Sequence, residues 1–272
     1  MNPKPISPGS TPHLTPANLV GRRFGKSTFK DVVVALVGYC PPPHSLGKYS
    51  PRNTVDQCFI HIPPANVQVC SHNGMEFLSI THVYGGPVSS ALIEELAYYE
   101  IKYVLAYGLA GGLATKRLKM GDFYIVEKAL ALDGTTPHYT TDKLISSDVF
   151  LNSKIKELAK KTGFPMMTPV QALTADAIYR EYEQDLKYAK ENGCDIVNCD
   201  SSHLFAVSRE VGISSTECGV ISDVAKGNGE EWQSTLSVML SSNGQGAPDP
   251  LQSAGEIAGF YIEVLMPEIM RR

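Results

Sequence analysis

Residues 194–226, CDIVNCDSSHLFAVSREVGISSTECGVISDVAK, constrain the fold more than any other part of the chain. Ile196 and Val197 make a short apolar run that ends in Asn198, Cys199 and Asp200. A helix-length segment follows, in which Leu204, Val207 and Val211 recur at three and four residues, the spacing of one buried helix face. Residues 217–222, ECGVIS, then read as a second buried strand, closed by Asp223. Strand, helix, strand within about thirty residues is a βαβ unit, and ligands of such sheets bind beyond the carboxyl ends of the strands. Both strands end in aspartate, so the pattern predicts two carboxylates converging on one crevice. A purely structural reading also fits, because Asp200 ahead of Ser201 and Ser202 has the chemistry of a helix N-cap.

The rest of the chain is of a kind with this unit. At 272 residues, 43% hydrophobic and 19% charged, it has ample material for one α/β core. A net charge of −4 gives no basic stripe for a phosphate backbone, so nucleic acid is not an expected partner. Six scattered cysteines, Cys40, Cys58, Cys70, Cys194, Cys199 and Cys218, contain no CxxC pair and no His/Cys cluster at ligand spacing. That predicts reduced thiols in a cytoplasmic protein and no structural metal. No apolar run reaches membrane-spanning length, so no membrane partner is expected either. Residues 1–28, rich in Pro, Ser and Thr at the start, read as a flexible arm, and 29–272 as one domain without repeats or a dividing linker.

In chain order, 31–38 predicts a first buried strand, followed by the proline-locked loop GYCPPPHS. VQVCSHNGMEFLSI predicts a hairpin around Asn73-Gly74. A helix is expected over 88–99, with Ala91, Leu92 and Leu96 inward and Glu94 and Glu95 outward. A strand at 103–107 leads into GLAGGL, 108–113, read as a turn that either brings backbone N–H groups near an anion or sugar or is simply tight. A strand starts at Phe123, ALDGTTPHYTTD reads as a polar rim or lid, and a helix (152–162) and a strand (168–173) follow. A polar turn at 174–176 opens an exposed helix, and helices are predicted at 232–239 and 252–266 around the turn-rich SSNGQGAPDP.

Several motifs together resemble the nucleoside phosphorylase and nucleosidase superfamily, from roughly Asp31 to the C-terminus, well over three quarters of the chain. YGGPVSSALIEEL is similar to the GxGGPSxxxxxEEL helix start of uridine phosphorylases. GLAGGLATKRLKMGDFYIVEKALALDG resembles the family's GSAGGL…GD…DG run, NCDSSHLFAV stands where these enzymes carry ExMEsA, and GVISDVA is similar to AISDVAD. The resemblance implies an α/β, single-domain, three-layer αβα fold with a mixed central β-sheet, a homo-oligomer, no cofactor, and cleavage of the bond between ribose and a base. Such cleavage puts positive charge on the sugar and negative charge on the departing base. A carboxylate on the ribose favours the first, and a carboxylic acid beside the base answers the second. By resemblance Asp223 is that catalytic acid, Asp200 takes the place of the ribose-binding glutamate, and Cys199 that of a methionine packing the sugar. Gly85, Gly86, Tyr107, Gly108, Ala110 and Gly111 fall on the lining of the pocket, Ile178 or Tyr179 on the aromatic that stacks on the base, and Asp133 and His138 on the rim motif DGxxxH.

The departures concern the anion. The family's phosphate-binding arginines fall on GYCPPPHS, on Ala106 and near Val69, none of which is charged. Phosphate would forgo several charge-assisted hydrogen bonds, each worth about 1.5–3 kcal/mol. The nucleosidases' water-activating glutamate falls among Pro41, Pro42 and Pro43, beside His44. Tyr84 and Tyr107 add bulk where the family has small residues, either narrowing the pocket or filling the core. His82 and His203 read as packing or capping residues. Three readings follow: hydrolysis of a nucleoside or thionucleoside; phosphorolysis with phosphate held by backbone groups at Gly38, Gly108 and Gly111 plus Arg52; or a binding protein or other chemistry on the same fold.

Overall fold

Alternation along the buried strands creates two apolar faces on one sheet. In β1 (Val34–Gly38), Val34 and Leu36 join one apolar cluster, and Ala35 and Val37 join another. The same division recurs in β5 (Tyr103–Gly112), where Leu105 and Tyr107 oppose Val104, Ala106 and Ala110. A computed structural model of the chain describes residues 12–49, 51–54, 56–113, 117–224, 233–235 and 249–271, with backbone alone for 51–54 and 233.

The remaining strands are β2 (Pro51–Thr54), β3 (Val67–His72), β4 (Met75–Ile80), β6 (Phe123–Ala131), β7 (Leu144–Ser146), β8 (Thr168–Thr174), β9 (Ile196–Asn198), β10 (Ser214–Val224) and β11 (Gln233–Ser234). β3 and β4 form the expected hairpin, its turn made by Asn73 and Gly74 at φ 49° and 79°. The helices are α1 (Gly86–Tyr98), α2 (Val149–Thr162), α3 (Glu183–Glu191), α4 (Ser201–Val211) and α5 (Pro250–Phe260), the last running on through a π turn at Tyr261–Leu265. Leu92 and Leu96 of α1 and Leu204, Phe205 and Val207 of α4 cover one face of the sheet. Leu151 and Ile155 of α2 and Ile257 and Ala258 of α5 cover the other. The result is the three-layer α/β fold with a mixed sheet. Among the described residues, no helix is long and apolar enough to cross a membrane.

The sheet is more closed than the local pattern predicts. β10 pairs with β5 in parallel and with β6 antiparallel; β6 pairs with β8, β8 with β9, and β9 returns antiparallel to β5. These five strands form a ring, from which β1, β4, β3 and β2 extend as an open wing. The predicted unit around α4 therefore has the right order of elements but not the right partners. β9 and β10 are not parallel neighbours; each is paired with β5, in opposite directions.

Other expectations are corrected. GLAGG is not a turn: β5 runs straight through it, and none of Gly108, Gly111 and Gly112 has positive φ. The expected lid is tied down, because the buried Asp133 carboxylate accepts hydrogen bonds from Thr135 N, Thr136 N and Ser202 Oγ. Part of the expected arm, from Pro12 on, forms short 3₁₀ turns against α1, with Val20 buried and Tyr98 Oη donating to the Phe24 carbonyl. Of the helix expected at 232–239, Gln233–Ser234 is a strand against β10, and all but 233–235 lies outside the described residues. Most of SSNGQGAPDP lies outside them too.

Glu95 is the clearest reversal. It is buried rather than outward, with both carboxylate oxygens facing the backbone N–H of Ile60. Burial pushes its carboxyl from 4.5 to about 7, against the lowering effect of that hydrogen bond. A carboxyl raised in the folded state binds protons more tightly than in the unfolded chain, so its contribution is complete below pH 4.5 and lost as pH rises toward 7. Each unit of such a displacement corresponds to about 1.4 kcal/mol. Urea unfolding across this window is expected to show a shallower fall of stability with pH in Glu95→Gln than in wild type. An unchanged slope would mean that the side chain is solvated.

Candidate active site

Register on β5 decides where the carboxylates meet. β10 runs alongside β5 with Glu217 abreast of Ala106, Gly219 of Gly108 and, after a bulge between Ile221 and Asp223, Asp223 of Gly111. β9 runs the other way, with Val197 abreast of Gly111, so the chain beyond it returns along β5 and brings Asp200 beside Gly108. Three residues of strand, about 10 Å, separate the two stations. The two aspartates thus flank one strand, each carried there by a differently directed neighbour.

The glycines provide clearance rather than turn geometry. A Cβ on Gly111 would lie 3.0 Å from Asp223 Oδ2 and 3.1 Å from Val197 Cγ1. One on Gly108 would lie 3.3 Å from Tyr39 Cβ, 3.8 Å from Asp200 Oδ2 and 4.0 Å from Glu217 Oε1. Asp223 is half-buried and accepts a hydrogen bond from Ser222 Oγ at 2.9 Å, and its backbone is paired to both Gly111 and Ser234.

Asp200 stands at the N-cap position of α4, yet its side chain makes no capping hydrogen bond. The capping explanation for this residue therefore fails. It is buried and faces Glu217, which is fully buried and which in the sequence reads only as part of a strand. Glu217 Oε1 accepts from Asn198 Nδ2 at 3.0 Å and Oε2 from Ser201 Oγ at 2.7 Å. Burial, and then the like charge of Glu217, raise the Asp200 carboxyl well above its ordinary range. Burial also pushes Glu217 up to about 7, although the Ser201 and Asn198 hydrogen bonds favour its anion. A signal for Glu217 is present in the sequence: a glutamate inside an apolar strand, with an asparagine two residues before Asp200. What that glutamate faces is not.

Other expected residues are distributed as follows. Cys199 lies partly exposed beside Asp200, its thiol pushed up to about 12 by burial and by the charges of Asp200, Glu181 and Asp176. Ala110 is buried in β5, and its carbonyl accepts from Ser222 Oγ. Gly85, at φ 77°, precedes α1, and Gly86 lies so close to Thr135 and His203 that a Cβ there would meet Thr135 Oγ1 at 2.1 Å. Asp133 joins this wall through Ser202, whereas His138 is exposed. Ile178 and Tyr179 sit on an exposed 3₁₀ turn, Tyr179 at 90% exposure and without a ring partner among the described residues. Tyr107 is on the opposite face of the sheet, buried against Gly38 as a core residue whose hydroxyl has no partner among the described residues. Tyr84 remains half-exposed near Asp200. His203 is buried and neutral, its Nε2 hydrogen-bonded at 2.8 Å to the Cys199 carbonyl. His44 lines a separate cavity of about 280 Å³ with Pro42, Pro43, Asn66, Ser79 and Thr81, which neither aspartate borders. Among the described residues, no group of His, Cys, Asp and Glu is arranged to hold a metal ion.

The chemistry of this crevice is acidic. Among the described residues, the charged groups that act on Asp200, Cys199 and Tyr39 are carboxylates: Glu217, Asp200, Glu181 and Asp176. Glu181 in turn feels Asp223.

Comparison with known proteins agrees with this architecture. The Phosphorylase superfamily profile matches residues 69–243. An uncharacterised protein of Acanthamoeba polyphaga mimivirus is 31% identical over 236 residues, 85% of this chain and 91% of its own. The 5'-methylthioadenosine/S-adenosyl homocysteine nucleosidase of Campylobacter jejuni superposes with a TM-score of 0.66 at 16% identity, covering 85% of this chain and 97% of that one. A uridine phosphorylase from Vibrio fischeri gives 0.67 at 15% identity, covering 89% and 94%. The two solved structures are similar in fold, one of them a nucleosidase and the other a phosphorylase.

Proposed function

Because the chain belongs to the phosphorylase superfamily, we propose that it cleaves the N-glycosidic bond of a nucleoside or thionucleoside, with water rather than phosphate as the acceptor. The observation that carries this reading is the pair of aspartates on either flank of β5, set in a crevice whose charged neighbours are themselves carboxylates. Asp200 takes the ribose and Asp223 the base, so that the sugar gains positive charge beside one carboxyl group while the departing base receives a proton from the other. A phosphate dianion brought among Asp176, Glu181 and Glu217 meets like charge, whereas water does not. Gly108 and Gly111 lie within the paired length of β5 rather than in an open turn fanning amides toward an anion, which also speaks against phosphate held by backbone. The side chain of Arg52 lies outside the described residues.

The test is a panel of purine and pyrimidine nucleosides and 5'-thio analogues, incubated with and without inorganic phosphate and read for free base and free or phosphorylated ribose. The expected result is free base and free ribose at a rate that added phosphate does not raise. Ribose 1-phosphate as the product would replace hydrolysis by phosphorolysis, and silence across the panel would remove both.

A further inference from the structure

Asp200 and Glu217 meet over Gly108, where an added Cβ would lie 3.8 Å from Asp200 Oδ2 and 4.0 Å from Glu217 Oε1, and the two carboxyls are treated differently by their surroundings. Glu217 receives two donors, Asn198 Nδ2 and Ser201 Oγ. Asn198 is held in that orientation by Thr174 Oγ1 and by the Ser201 backbone N–H, both of which donate to its Oδ1. Tyr124, from β6, adds its hydroxyl near Glu217 without forming a well-aligned hydrogen bond. Among the described residues Asp200 has no such donors, and its side chain does not cap α4. The titratable groups facing it are Tyr39 and Cys40 from the end of β1, Tyr84 from the segment before α1, Tyr124 from β6, Cys199 from its own turn and Glu217 from β10. Among the described residues, all of these but Glu217 are neutral at pH 7, and none is a cation.

We propose that Glu217 is a positioning residue for the sugar side of the pocket, carrying the negative charge of a buried carboxyl pair whose proton sits on Asp200. Asp200 then meets a ribose-like diol as an O–H donor and a carbonyl acceptor, so one ligand hydroxyl accepts while the other donates. No bond is made or broken in the pair, and its charge remains on Glu217, from where it favours positive charge developing on the sugar. Two like charges so close in a dry site do not both ionise near neutrality, and the donors decide which carboxyl keeps the proton. This assignment of the ligand's side of the pocket rests on the proposed function; the protonation of the pair does not.

Infrared difference spectroscopy of the full chain separates the two. At about pH 8, where Glu95 is mostly ionised, wild type is expected to show a protonated-carboxyl C=O band that disappears in Asp200→Asn. In Glu217→Gln the midpoint of that band should move to lower pH by at least about one unit, because the neighbouring charge is gone. If Glu217→Gln does not fold, Ser201→Ala, which takes one donor from the Glu217 anion, should move the lower of the two midpoints upward. Absence of the band in wild type, or midpoints that do not move, overturns the proposal. A band that titrates as expected in a chain inactive on every nucleoside would keep the pair and discard the proposed reaction. In an active preparation, the pH dependence of kcat/KM should shift in Glu217→Gln in the same direction as the band.

Discussion

Asp223→Asn is expected to lower base release by about 10²–10⁴-fold, the range over which a positioned proton donor contributes to a reaction. The substitution keeps the size and shape of the side chain but removes an acid that can pass its proton to a departing base. The backbone of Asp223 is paired on both sides, to Gly111 and to Ser234, so the strand that carries it does not depend on the carboxyl. Binding of an unreactive base analogue and the denaturant midpoint should therefore stay near wild type while kcat collapses. A variant that retains the full rate would show that the base leaves without this acid, and the proposed roles along β5 would have to be reassigned.

The largest effect on stability is expected from Gly219→Ala. A Cβ at this position would lie 2.2 Å from Tyr124 Oη, 2.3 Å from Tyr124 Cζ and 2.6 Å from the Gly108 carbonyl oxygen. Gly219 has no positive φ, so the cost is steric rather than conformational. The carbonyl belongs to β5, paired with β10 at this point, and cannot retreat without parting the strands that hold Asp200 and Asp223 in register. Overpacking usually costs about 1–3 kcal/mol, and here, with a backbone atom in the way, about 3 kcal/mol or more is expected. Thermal unfolding should fall by roughly 2–4 °C per kcal/mol for a chain near this size. Tyr124→Phe should restore little, because the ring carbon and the carbonyl remain. A Tm within a degree of wild type would mean that the β5–β10 contact is looser than its spacing.

Local pattern is sufficient for the elements that bury one face by periodicity or turn by a special residue. The apolar runs of β1, β5 and β10, the Asn73-Gly74 hairpin and the amphipathic α4 are found where the residues place them. Glu95 and the GLAGG segment mislead a local reading for the same reason: a glutamate amid helix residues looks solvated, and glycines look like a turn, until the neighbouring chain is known. Glu95 is buried because the Ile60 backbone N–H requires an acceptor there. The β5 glycines are there because side chains from β9, β10 and the end of β1 occupy the space a Cβ would need.

Residues a few positions apart are enough to specify the kinds of element, the family motifs and the two aspartates, so all of these are legible along the chain. Which carboxyls face one another is not, because it depends on contacts between distant segments. Asp200 and Glu217 meet because β9 runs back along β5 while β10 runs forward beside it, and strand direction and register arise only when those strands pair.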